Sequence, residues 1–228
     1  MPLRTATTNS TRTTVALAAA CTFLLGACSS TPSRESAPVQ VDAMVTWIER
    51  VHVEAERSQL AIAESFERLN VIAAGRFDKE PAAQAYARFV QATDEAAQQA
   101  KRFREVVQPM VETAQPVFVR WQQDLQTITN EKLRQRGEMR YAVAKQRYDA
   151  ITKVAVPSQQ TLDAYVKELK DHAAFLAHDL NPSAIQDIQG GVKEIAKQVL
   201  GLDRDLKSCM AAARAYVDES SLPAAPAR

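Results

Sequence analysis

Cys28 is the residue whose surroundings most clearly specify a chemistry. It closes the stretch Leu25-Gly26-Ala27-Cys28, in which small residues directly precede the cysteine, as in a lipobox. Before it stands the apolar run VALAAACTFLL, preceded by a polar segment with two arginines and no acid. A run of about eleven residues has the length of a signal-peptide core and is too short to span a bilayer as a helix. The sequence therefore predicts cleavage before Cys28 and transfer of a diacylglyceryl group to its thiol.

The alternative for this segment is an ordinary signal peptide that happens to contain a cysteine. We favour the lipobox because the apolar run, the small residues and the cysteine coincide at the expected spacing. One acyl chain binds a membrane weakly, whereas three chains, two on the sulfur and one on the new amino terminus, hold firmly. In a Gram-negative cell, Ser29 after the anchor predicts sorting to the outer membrane. We therefore expect a lipid-anchored protein of the bacterial cell envelope, on the periplasmic face of the outer membrane.

Basic side chains cluster between residues 131 and 147, where the chain has only two acids. The cluster consists of Lys132, Arg134, Arg136, Arg140, Lys145 and Arg147. A basic residue close to an anionic bilayer contributes roughly 1 kcal/mol of binding. The first four are our candidate interaction site, for anionic lipid, peptidoglycan or another envelope protein. The alternative is a solvated helix face whose charges a neighbouring helix balances.

The other residue types that could carry chemistry form no recognisable constellation. Cys209 occupies an apolar seam position, so we interpret it as a core residue, the alternative being a redox-active or dimerising thiol. His172 and His178 lack the i, i+4 spacing that places two zinc ligands on one helix face. The chain has no Ser–His–Asp set and no glycine-rich phosphate loop. The sequence thus predicts no catalytic residue, no metal and no cofactor.

The charge balance argues against nucleic acid as a partner. The whole chain has a formal net charge of +1. Residues 1–27 contain two of the arginines and no acid, so the chain from Cys28 onward is close to −1. Binding to nucleic acid requires a basic surface that displaces counterions. A near-neutral domain provides no such surface.

Composition divides the chain into four parts. Residues 1–27 are predicted to be the lipoprotein signal peptide, and residues 28–41, rich in Ser and Pro, a flexible tether from the lipidated cysteine. Residues 42–221 have a sustained three-four apolar spacing. Residues 222–228 are predicted to be a disordered tail. The chain has six glycines and abundant Ala, Gln, Glu, Lys and Arg, which favours helices over sheets.

The apolar spacing in residues 42–221 predicts four long helices. They begin at Asp42, at Pro81, after Asn130 and at Pro182. Short connections make sequential helices antiparallel neighbours. We therefore predict an all-α fold, an elongated antiparallel four-helix bundle with coiled-coil-like seams. The two middle helices are the longest, so the hairpin between them should overhang the bundle by roughly 20 Å.

Three stretches of the predicted helices carry a resemblance to a known family. They are residues 121–133, residues 147–151 (RYDAI) and residues 171–185 (DHAAFLAHDLNPSAI), of which the last is the most specific. Together they resemble a bacterial lipoprotein family known as domain of unknown function 2959. The resemblance implies a lipobox followed by long helices, and it implies no activity and no catalytic residues.

Long seams without an evident pocket favour a protein that is not an enzyme. We expect a lipid-anchored scaffold or partner-binding module of unknown molecular function, attached to the membrane through its anchor. The alternative is a lipid-handling protein whose amphipathic helices open to bind acyl chains. Seams of this kind can also pair between molecules, so the sequence leaves the oligomeric state open.

Overall fold

The computed structural model describes residues 37–77 and 80–220, with side chains from residue 43 onward. Five helices and no strand occur in this part of the chain. The helices are α1 (Ala37–Ala73), α2 (Ala82–Gln126), α3 (Glu131–His178), α4 (Pro182–Asp187) and α5 (Gln189–Ser220). The prediction of an all-α fold is confirmed.

The first helix begins five residues earlier than the sequence predicted. α1 starts at Ala37 and includes Pro38, so residues 37–41, assigned above to the tether, are helical. A proline in the first turn loses no hydrogen bond, because the amide groups there have no partner within the helix. The predicted signal peptide with Cys28, residues 29–36 of the predicted tether and the predicted tail lie outside the described residues.

The four long helices pack as a ring in which sequential helices are neighbours. α1 contacts α2 and α5, and α3 contacts the same two helices. Gln59 of α1 bonds to Asp203 of α5, and Tyr86 of α2 donates a hydrogen bond to the Ala173 carbonyl of α3 at 2.9 Å. This up-down-up-down arrangement is what short connections between long helices favour.

The predicted seams form one continuous hydrophobic core. Its largest fully buried side chains include Phe89, Phe103, Tyr165, Leu169 and Ile195. Tyr165 brings a polar group into this interior, and its hydroxyl lies 2.8 Å from Ser65 Oγ and donates to the Ile62 carbonyl at 3.1 Å. Burial raises the pKa of Tyr165 well above its ordinary value, so the phenol stays a hydrogen-bond donor. Because a buried hydroxyl needs its hydrogen-bond partners, these bonds from Tyr165 of α3 to α1 help to fix how the two helices align.

The helix predicted to run on from Pro182 is divided at Ile188. Asn181 caps the short α4 by accepting a hydrogen bond from the Ala184 amide at 2.9 Å, and α5 begins at Gln189. Two glycines follow, which weaken a helix by about 1 kcal/mol each relative to alanine. A Cβ at Gly191 would lie 2.5 Å from His172 Nε2 of α3. The break at Ile188 thus lies three residues before Gly191, where α5 and His172 of α3 are in close contact.

Prolines inside the long helices do not end them. α2 continues through Pro109 and Pro116, and α3 continues through Pro157. Each proline removes one backbone hydrogen bond. Residues on both sides of these prolines are fully buried, among them Val107, Met110 and Ala155. Their packing in the core stabilises each helix where the backbone hydrogen bond is missing.

Cys209 lies in the core, as its seam position predicted. Its side chain is fully buried, and burial raises the thiol pKa to about 12. The thiolate is the reactive form, so at neutral pH this group is both inaccessible and protonated. We expect a bulky maleimide to label Cys209 slowly in the native protein and rapidly in denaturant, as followed by mass spectrometry. Equal rates in the two conditions would contradict the buried position.

Candidate interaction site at the helical hairpin

The turn between α2 and α3 forms the free end of the longest hairpin. α2 ends at Gln126, and the Thr127 amide bonds back to the Asp124 carbonyl at 3.1 Å. Asn130 then caps α3, with its side-chain oxygen accepting from the Leu133 amide at 3.2 Å. Because these bonds satisfy a carbonyl that the end of α2 leaves open and an amide that the start of α3 leaves open, the turn is specified locally.

The hairpin projects beyond the end of α5. Glu219, next to the last residue of α5, forms an ion pair with Arg147 of α3. Tyr148 is the first fully buried residue of α3, and none of the residues between Glu131 and Arg147 is buried. At 1.5 Å per residue this stretch rises about 24 Å. The hairpin therefore extends past α5 by about the distance predicted, and we call residues 119–147 the hairpin extension.

Close packing holds the two helices of the extension together. Leu125 is buried against Gly137, where a Cβ would overlap the leucine Cδ2 atom. An aromatic cluster formed by Phe118, Trp121, Tyr141 and Tyr148 fills the base, with ring centroids 5.2 to 6.5 Å apart. Burial raises the pKa of Tyr148 to about 12. These contacts hold the two helices of the hairpin extension together, and we also call the extension the arm.

The extension differs in charge from the rest of the bundle. Residues 119–147 contain seven basic and three acidic side chains, a net charge of +4. The other residues between 37 and 220 contain 17 basic and 23 acidic side chains, a net charge of −6. The near-neutral total conceals this separation. A positive arm on a negative bundle attracts anionic groups to one end of the molecule.

The four predicted site residues divide between two sides of α3. Arg134 pairs with Glu131 and with Glu138, which balances its charge. The other three, Lys132, Arg136 and Arg140, are exposed and form no ion pair with any described residue. Acids of its own helix therefore balance Arg134, and not acids of a neighbouring helix as the alternative interpretation supposed. The other three residues leave uncompensated positive charge on the opposite flank.

An open groove of about 570 Å³ lies where this basic flank meets the end of α5. Trp121, Met139, Arg140 and Val143 line its walls, and Tyr216 lies at its base. Two of these side chains are exposed apolar groups, with 62% of Met139 and 43% of Val143 accessible. This groove was not predicted from the sequence. The regular placement of Leu133, Arg136, Arg140 and Val143 was the signal that could have revealed it.

Leu133 continues the three-four apolar spacing of the third helix, which predicts a buried position, and that prediction is wrong. Its side chain is 55% exposed. The three-four spacing continues to the start of α3, but the described part of α5 reaches only Ser220, next to the Arg147–Glu219 ion pair, and does not cover this stretch. An apolar residue at a seam position is buried only where a neighbouring helix reaches it.

Two of the three histidines form hydrogen bonds to backbone carbonyls. His52 Nδ1 donates to the Met210 carbonyl at 3.1 Å, and His172 Nδ1 donates to the Glu168 carbonyl at 2.8 Å. No group of three or more His, Cys, Asp or Glu side chains capable of holding a metal occurs within residues 43–77 and 80–220. None of the described helices combines the length and apolarity needed to cross a membrane.

Comparison with known proteins agrees with the resemblance seen in the sequence. A family model described as "Protein of unknown function (DUF2959)" matches residues 37–220, which span all five helices. No curated protein and no solved structure matches the chain.

Proposed function

The chain belongs to the DUF2959 family, and we propose that it is a non-enzymatic, partner-binding rod anchored to the bacterial cell envelope. The observation that carries this proposal is the hairpin extension. It combines a net charge of +4 with accessible apolar side chains at the end of an otherwise negative bundle. Exposed apolar groups next to unpaired charges are typical of protein interaction surfaces.

The lipobox supports the envelope location. Acylated Cys28 would hold the protein on the periplasmic face of the outer membrane, with residues 29–36 joining the anchor to α1. α1 begins at the same end of the bundle as the hairpin extension, since sequential helices alternate in direction. The arm would therefore point back toward the membrane that carries the anchor.

No specific observation favours the alternative of a lipid-handling protein. The interior is filled by large side chains such as Phe89, Phe103 and Tyr165, each without accessible surface. The grooves among the described residues are open depressions between charged or mixed side chains, as at Arg68, Glu80 and Arg88. Binding an acyl chain would require the core itself to separate.

Site-specific crosslinking in living cells tests the proposed function. A photoreactive amino acid at exposed Thr129, in the turn of the hairpin, should give a discrete adduct with one envelope component. The same amino acid at Leu60 of α1, which is 67% exposed but outside the extension, should give none. Thr129 is preferable to Asn130, whose side chain caps α3. Adducts of identical pattern from both positions, or from neither, would overturn the proposal.

A further inference from the structure

We propose that the groove of the hairpin extension receives an acidic amphipathic α-helix of a partner protein. This inference rests on the proposed function and specifies its partner. The partner helix would lie against α3 beyond Ser220, the last described residue of α5, with apolar side chains on Met139, Val143 and Trp121. Its acidic side chains would face Arg140, which lines the groove, and Arg136, one turn further along α3.

α5 itself shows the geometry of such an occupant. It packs along α3 through the whole length of the bundle, and its last turn places Glu219 against Arg147 and Tyr216 at the base of the groove. A helix continuing in the same direction would next meet Arg140 and Arg136. The pairing between an acid and a base of α3 would then repeat two and three turns further along.

The spacing on α3 fits a helical ligand. Leu133, Arg136, Arg140 and Val143 are separated by three, four and three residues, which places them on one stripe of the helix. The stripe has two basic side chains between two apolar ones. A helix with an apolar seam and acidic flanks satisfies both kinds of group, and the free stretch of about 24 Å accommodates roughly sixteen residues of it.

The position of the charges favours a helix over a lipid surface. A bilayer that met the arm end-on would contact the turn, residues 127–130 (TITN), which contains no basic residue. Arg140 lines the groove on the side of the arm, and Arg136 lies one turn away on the same face of α3; neither forms an ion pair with a described residue. Concave apolar grooves with charged rims are the usual receptors for amphipathic helices.

Binding of designed peptides to the full-length, detergent-solubilised protein tests this inference. The probe is a fluorescein-labelled peptide of eighteen residues with a Leu/Ala seam and Glu on both flanks, and its matched partner carries Lys in place of Glu. Anisotropy should show binding of the Glu peptide only. The double substitution Arg136→Glu, Arg140→Glu should weaken it by about tenfold or more, since it removes two ion pairs and introduces repulsion.

A matched control has the same change in charge outside the groove. Lys153 and Lys170 are exposed on α3 and form no ion pair with any described residue, so the substitutions Lys153→Glu, Lys170→Glu should alter binding by less than about twofold. Circular dichroism checks that both variants remain helical. A photoreactive group in the middle of the Glu peptide should label Met139 or Val143.

Several outcomes overturn the inference. Equal binding of both peptides, or equal losses in the two double variants, would show that no acidic helix is recognised in the groove. Binding that depends on Arg136 and Arg140 but occurs only to phosphatidylglycerol vesicles would assign the arm to a lipid surface. Self-association lost in the same variant would assign the groove to a second copy of the chain. In these last two cases the crosslinking from Thr129 would still succeed, so the failures of the two proposals are distinguishable.

Discussion

Replacing Phe103 by alanine should lower the free energy of unfolding by about 3–5 kcal/mol. Phe103 lies in the middle of α2 and has no accessible surface. Its ring is part of the single hydrophobic core shared by all four long helices. Removal of the ring loses the free energy of its transfer from water and leaves a cavity that long, mutually packed helices can close only in part. Urea denaturation followed by far-UV circular dichroism measures the change.

Phe175→Ala is the matched control for this loss. Phe175 lies on α3 with 49% of its surface accessible, so much of its ring is already in water. Its removal should cost about 1 kcal/mol or less. Comparable losses in the two variants would mean that Phe103 does not occupy the common core. A loss of free energy of unfolding in Phe103→Ala alone would show that packing in the core between the helices stabilises the protein.

Replacing Cys28 by alanine should release the protein from membranes completely. Each buried methylene of an acyl chain contributes about 0.8 kcal/mol, so three chains bind far more strongly than any surface contact of the folded domain. Alanine offers no thiol for the diacylglyceryl group. The protein should therefore move from the membrane pellet to the soluble fraction, as measured by immunoblotting after ultracentrifugation.

The other cysteines provide the controls for this experiment. Cys21→Ala changes a cysteine seven residues before the predicted cleavage point, and Cys209→Ala changes one that is buried in the core. Both variants should remain in the membrane pellet. Sedimentation of the Cys28→Ala variant with membranes would contradict acylation at Cys28. Globomycin, which blocks lipoprotein signal peptidase, should cause the wild-type precursor to accumulate.

Much of the fold could be predicted because its determinants are local. The three-four spacing that places Val51, Ala55 and Ile62 on one side of α1 also states which side is buried, and all three are in the core. Asn130 and Pro182 predict helix starts, because side-chain capping and the fixed backbone angle of proline act within one turn of the helix. The resemblance at residues 171–185 likewise led to the family whose model matches residues 37–220.

The candidate site could be predicted only in part. The sequence identified Lys132, Arg134, Arg136 and Arg140 as a basic group, but ion pairs on α3 balance Arg134 and not the others. Closeness in the sequence does not show which side of α3 each basic side chain presents to the neighbouring helices. That depends on where the neighbouring helices pack, which is a property of the assembled bundle.

The sequence by itself determined that this protein is a set of long amphipathic helices behind a cysteine with the surroundings of an acylation site. Both features depend on residues close together in the chain, so they can be recognised without a fold. The tertiary structure alone decided what those helices leave uncovered. An apolar period predicts which face of a helix avoids water. The described part of α5 reaches only Ser220 and does not extend along the arm, where Leu133, Met139 and Val143 are accessible. Contacts between residues distant in sequence decide which part of an amphipathic face is core and which part is available to a partner.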